Sequence, residues 1–241
     1  MPSSIHNDNT MPRLLKVSIS LSTLVLLVAA HEVRGQTISS PYEYFETKQE
    51  AGVFVGVTNQ GTGRFGFGPN AGTNLGARYS INLGGPFGLE GVFSYQPTTR
   101  DLVDPSREEG DRVVGEADAN LLSFDARLRF SLTGDRTWHG IHPFLMSGIG
   151  LAWDLAPDAA QDELLLPDDR YEFGTRLVAL FGGGARWFLT ERLLLRGDVY
   201  VNMYQLKTPR GYLDTSRGFT GVGEKEWVSG PILSIGTAWH F

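Results

Sequence analysis

The chain has no cysteine. That excludes a disulfide framework, a thiolate metal site and a lipid-modified cysteine at a processed N-terminus. It has no run of basic residues, and 27 Asp and Glu outnumber 21 Lys and Arg to give a net charge of −6. Nucleic acid is therefore not an expected partner, since its recognition needs a positive face. No apolar run reaches the ~20 residues a membrane-spanning helix requires. A G-x-S-x-G nucleophile turn is also missing. What remains is a chain with 41% hydrophobic residues, too many for disorder, and with 30 glycines. Such glycine content suits sharp turns and close backbone approach.

Near the N-terminus, Arg13 and Lys16 precede an apolar run over 17–30, broken by Ser18, Ser20, Ser22 and Thr23. His31-Glu-Val-Arg-Gly35 follows. Charge, a short apolar core and small residues, in that order, describe a secretory signal peptide rather than an anchor. The expected division is a signal over 1–35, a short periplasmic segment over 36–50, and one domain over 51–241. Cleavage fits after Gly35, with Ala30 as the alternative; Met11 is an alternative start, because residues 1–10 are polar.

Beyond the signal, apolar and polar residues alternate with a period of two. The clearest run is 122–132, where Leu122, Phe124, Ala126, Leu128, Phe130 and Leu132 share one face and Ser123, Asp125, Arg127, Arg129 and Ser131 the other. A helix would scatter both sets around its circumference. Similar alternation occupies 52–58, 74–81, 89–96, 142–153, 176–187, 195–203 and 233–241. Eight segments, each near the 9–11 residues of a tilted membrane strand, predict an all-β, eight-stranded antiparallel up-and-down transmembrane barrel.

The links support this reading. Short ones at 83–86, 133–140 and 189–192 alternate with long ones at 59–72, 97–117, 154–173 and 205–226. Outer-membrane barrels place short turns in the periplasm and long loops outside. Aromatics near the strand ends, Tyr95, Trp153, Trp187, Tyr204, Trp227, Trp239 and Phe241, are candidates for interfacial girdles.

The closing stretch Leu233-Ser-Ile-Gly-Thr-Ala-Trp-His-Phe241 resembles the terminal β-signal of outer-membrane proteins. The resemblance makes Leu233, Ile235, Thr237, Trp239 and Phe241 the residues read by the barrel-assembly machinery. His142-Pro-Phe-Leu-Met-Ser-Gly-Ile-Gly150 and Gly182-Gly-Gly-Ala-Arg-Trp-Phe-Leu-Thr-Glu-Arg192, followed by Leu193-Leu-Leu-Arg-Gly-Asp198, look like the strands and turn of the small OmpA/OmpX/OmpW-like barrels. That likeness covers roughly residues 50–241 and implies a location in the outer membrane of a Gram-negative-type bacterium, with outer-membrane lipid and lipopolysaccharide as partners. It implies no single activity.

An eight-stranded barrel is just wide enough for its own side chains. The alternation turns Arg78, Arg127, Arg129, Arg176, Arg186 and Arg196 inward, with Glu90, Asp125 and Asp198 as their counter-charges. Charges removed from water must be paired or wetted. Two readings follow: a plug of salt bridges that fills the lumen, or a narrow basic channel for water, small anions or, by the OmpW likeness, small hydrophobic solutes. A soluble lipocalin-like barrel is a third possibility and would reverse the faces.

Two loops are acidic, with Asp101, Asp104, Glu108, Glu109, Asp111 and Glu116 in one and Asp158, Asp162, Glu163, Asp168, Asp169 and Glu172 in the other. They are expected to be solvated and mobile, with a hard cation at the headgroups as the alternative. The histidines past the signal, His139, His142 and His240, match no catalytic or metal-ligand spacing. The expectation is a non-enzymatic barrel without cofactor or metal. It would act through four extracellular loops whose ligand carries no readable motif.

Overall fold

The computed structural model describes residues 40–44, 48–155 and 160–241, so the signal over 1–35 and Asp158 lie outside the described residues. Among the described residues eight long strands form a barrel: β1 (Gln49–Thr58), β2 (Gly72–Gly84), β3 (Phe87–Val103), β4 (Val113–Ser131), β5 (Ile141–Asp154), β6 (Thr175–Phe188), β7 (Leu193–Lys207) and β8 (Lys225–His240). Each pairs antiparallel with its sequence neighbours. β8 returns to β1, with Ile232 opposite Thr58 and Trp239 opposite Ala51, and the barrel closes. Closure leaves no open edge to β1 or β8, as a sheet in hydrocarbon requires. Among the described residues no helix is long and apolar enough to cross a membrane.

The register fixes which face each residue shows. Phe124, Ile149 and Leu177 point outward with 54%, 64% and 66% of their surface exposed, whereas Arg127 and Arg196 are 2% exposed. This inverts the order of a water-soluble protein, in which large apolar residues are buried and arginines are not. It rules out the lipocalin-like alternative. The outer wall is an apolar belt, with Trp153 and Tyr95 toward the long-loop rim and Trp187 and Trp239 toward the short-turn rim.

Three details differ from the sequence expectation. First, β3 and β4 run 17 and 19 residues, pairing as far as Val103 and Val113. The link expected over 97–117 is therefore mostly a projecting hairpin, and Asp101 and Glu116 sit on its strands. Second, the turn between β4 and β5 contains a short strand, Arg136–Trp138, which pairs with Tyr42–Tyr44. Third, Tyr204 faces the interior at 2% exposure and belongs to no girdle. It shares the parity of Tyr200 and Asn202, so its inward direction follows from alternation alone.

Candidate functional site

The interior is built in layers. At the short-turn half, inward positions of β1, β2, β3, β4, β6 and β7 bring together Glu50, Arg78, Glu90, Asp125, Arg127, Arg129, Arg186, Arg196 and Asp198, all buried. Glu50 accepts hydrogen bonds from Arg129 Nη1 at 3.0 Å and Arg186 Nη1 at 2.9 Å. Arg196 clamps Glu90 with both terminal nitrogens, Nη2 donating to Oε1 at 3.0 Å, and its Nε donates to Asp198 Oδ1 at 2.7 Å. Arg78 Nη1 reaches the other Asp198 oxygen at 2.6 Å. Arg127 pairs with Asp125, Nη2 donating to Oδ2 at 3.2 Å. Arg186 also meets His142 Nδ1, while His142 Nε2 lies 2.8 Å from Gly134 O. That pattern sets the imidazole as neutral, with its hydrogen on Nε2.

The guanidinium planes stack on aromatic rings as well. Arg78 lies 4.5 Å from the Phe54 ring, Arg127 4.6 Å from Tyr200 and Arg196 4.6 Å from Phe144. Phe54 has space because Gly76 faces it: a Cβ at position 76 would fall 2.4 Å from Phe54 Cζ. The layer is thus a network of charge-assisted bonds, stronger than neutral ones, with its guanidiniums laid against rings.

Sequence alternation placed eight of these nine charges inward. Glu50 lies just ahead of the alternating run that begins at Gly52, yet it has the parity of Gly52 and Phe54 and turns inward with them. With Glu50 included and Arg176 outside the layer, five arginines face four carboxylates, and most of the expected basic excess is gone. Arg176 is not part of the network. It has inward parity but sits at the long-loop end of β6, donating to Glu172 O at 3.1 Å and lying 5.8 Å from the Phe173 ring.

Above the charges lies a polar layer around Gln60, Asn74, Ser94, Gln96 and Asn202, with a cavity of about 30 Å³. Tyr204 donates to Gln60 Oε1 at 2.6 Å. Asn74 Oδ1 and Asn202 Oδ1 have no protein donor, and the volume is enough for a water to satisfy them.

The long loops fold over the rim as an aromatic cap. The β1–β2 loop supplies Phe65 and Phe67, the β5–β6 loop Tyr171 and Phe173, and the β7–β8 loop Tyr212 and Phe219. Phe65 stacks on Tyr212 at 4.4 Å, and Phe67 packs on Tyr171 at 4.9 Å. Tyr212 donates to Val103 O at 3.2 Å, tying the cap to the projecting hairpin. Burial raises the Tyr171 and Tyr212 phenols above the ordinary tyrosine value.

The acidic loops differ from expectation here. Asp162 and Asp169 are buried. Asp162 pairs with Arg100 at 2.5 Å and Asp169 with Arg217 at 2.7 Å, so these loops are pinned by buried ions. Gly211 makes the second pair possible, since a Cβ there would fall 1.7 Å from Asp169 Oδ1. Among the described residues no His, Asp and Glu cluster could hold a metal.

The C-terminal residues Leu233, Ile235, Thr237, Trp239 and Phe241 all lie on the outer face of β8 or just past it. The crystal structure of the outer membrane protein OprG from Pseudomonas aeruginosa is similar over 84% of this chain and 99% of that one, with a TM-score of 0.51 and 14% identity. The fold is that of the small outer-membrane β-barrels. Neisserial surface protein A, another structure of this fold, aligns over 84% of this chain and 98% of its own at 12% identity and a TM-score of 0.46. No family model and no curated protein matches by sequence. The eight-stranded barrel is thus shared in architecture, while its ionic layer and aromatic cap are read from this chain's own side chains.

Proposed function

We propose that the chain is a non-enzymatic outer-membrane barrel whose lumen is closed by its own side chains and whose loops face the cell exterior. The observation that carries this reading is the stacking of two closures: the ionic layer from Glu50 to Asp198, and the aromatic cap of Phe65, Phe67, Tyr171 and Tyr212. A solute path would have to open both. Opening the first leaves buried charges uncompensated, at roughly 3–5 kcal/mol for a single lost partner.

The apolar belt and its flanking tryptophans support an outer-membrane location, with the long loops outside and both ends of the barrel domain in the periplasm. The outward row Leu233, Ile235, Thr237, Trp239 and Phe241 supports its use as the assembly signal during biogenesis. Lipid and lipopolysaccharide then surround the wall.

The test is conductance of the purified protein in a planar bilayer. The closed reading expects silence from the native chain and steps from a variant carrying Glu90→Ala, Arg196→Ala and Tyr212→Ala together. Stable open steps from the native chain would establish the narrow channel instead.

A further inference from the structure

We infer that the long-loop end carries a binding pocket for a small aromatic anion, formed where the projecting β3–β4 hairpin meets the β1–β2 and β7–β8 loops. A cavity of about 530 Å³ opens there, with Arg64, Arg112 and Arg217 around its wall and the rings of Phe65 and Phe219 within it. The ring pair is rigid. Phe65 and Phe219 meet edge to face at 5.6 Å, and Tyr212 backs both, at 4.4 Å and 5.1 Å.

The cations are aimed by those rings. Arg64 Cζ lies 5.2 Å from the Phe65 centroid and Arg112 Cζ 5.0 Å from that of Phe219. Arg112 Nε donates to Arg107 O at 3.2 Å, and the side chain lines the cavity. The Arg64 backbone N–H donates to the Glu226 carboxylate at 3.0 Å, but among the described residues neither the Arg64 nor the Arg112 guanidinium has a carboxylate within ion-pairing distance. Arg217 is held by Asp169 and Asp214 at 2.7 and 3.7 Å and serves as wall more than as free charge. The one acid in the lining is Glu109.

The chemistry this selects is an anion with a flat apolar body, such as an aromatic carboxylate or phosphate ester. A guanidinium fork takes the oxyanion in paired hydrogen bonds. The phenyl rings take the ligand's ring. The surroundings sharpen the choice, because Asp104, Glu108 and Asp111 make the hairpin tip acidic. A simple inorganic anion is repelled at range and gains nothing from the rings, so charge alone does not suffice. The assignment to an outside-facing site rests on the orientation proposed above, but binding by the detergent-solubilised protein is independent of that orientation and of whether the lumen conducts.

Fluorescence anisotropy of 7-hydroxycoumarin-3-carboxylate, titrated with the full folded protein in a neutral detergent at low salt, tests the site. Saturable binding is expected, weakened at least tenfold by Arg64→Gln together with Arg112→Gln. Phe219→Leu weakens it with the salt dependence unchanged, and Glu109→Gln, a surface change that does not threaten folding, tightens it severalfold. Naphthoate competes, and inorganic phosphate at matched ionic strength does not. Absence of saturable binding, equal affinity in the double arginine variant, or equal competition by phosphate would overturn the proposal.

Discussion

At the scale of single residues, the interior and the wall make opposite demands. Glu50 holds Arg129 and Arg186 at once. Glu50→Gln keeps the shape but strands two guanidiniums, so we expect a loss of roughly 3–5 kcal/mol, read as a lower urea midpoint for the folded band in heat-modifiable gel migration. On the wall the sensitivity reverses. Ala126 is outward and exposed on β4, midway between the aromatic rims. Ala126→Arg puts a charge where the belt meets hydrocarbon, which costs about 2–4 kcal/mol near the bilayer midplane. The same change at Ser216, an exposed loop residue, should leave the urea midpoint unmoved.

At the scale of elements, the strands were legible in the sequence and the loops were not. Alternation along 122–132 is local information, so it predicts strand, face and turn rhythm without knowledge of any partner. The partners of the ionic layer are not local: Glu50 and Arg186 are 136 residues apart and meet only because the barrel closes. Arg176 illustrates the limit from the other side, since parity gives its direction and not its height. The cap residues Phe65, Phe67, Tyr171, Phe173, Tyr212 and Phe219 sit in loops as two isolated pairs and two single rings, with no sustained alternation to announce them. Their burial depends on loops folding inward, which ion pairs such as Arg217 with Asp169 enforce.

Two predictions belong at this scale. Gly211→Ala drives a methyl into Asp169 and should free the β7–β8 loop, seen as faster proteolysis within 208–224 while the barrel stays folded. The cap should also loosen in alkali. Its phenols are raised above the ordinary value of about 10, so their neutral form is favoured in the folded state. That contribution is complete below pH ~10 and is lost as pH climbs from there through the raised values. Tyr171→Phe with Tyr212→Phe should shift the onset of proteolysis to higher pH.

At the scale of the molecule, one arrangement accounts for both faces: Phe124, Ile149 and Leu177 turn apolar surface outward, and the centre is filled by paired charges. The absence of cysteine makes this directly measurable, because any introduced thiol is unique. The decisive measurement is the reaction of single-cysteine variants in lipid vesicles with a charged, water-soluble thiol reagent. Ser216→Cys on the loop should react. Ala126→Cys in the belt and Ser234→Cys in the filled interior should not, whereas a lipid-soluble maleimide should label Ala126→Cys. Charged-reagent labelling at position 126 would place water on the outer wall, and labelling at 234 would mean a hydrated path through the barrel; either result contradicts the account.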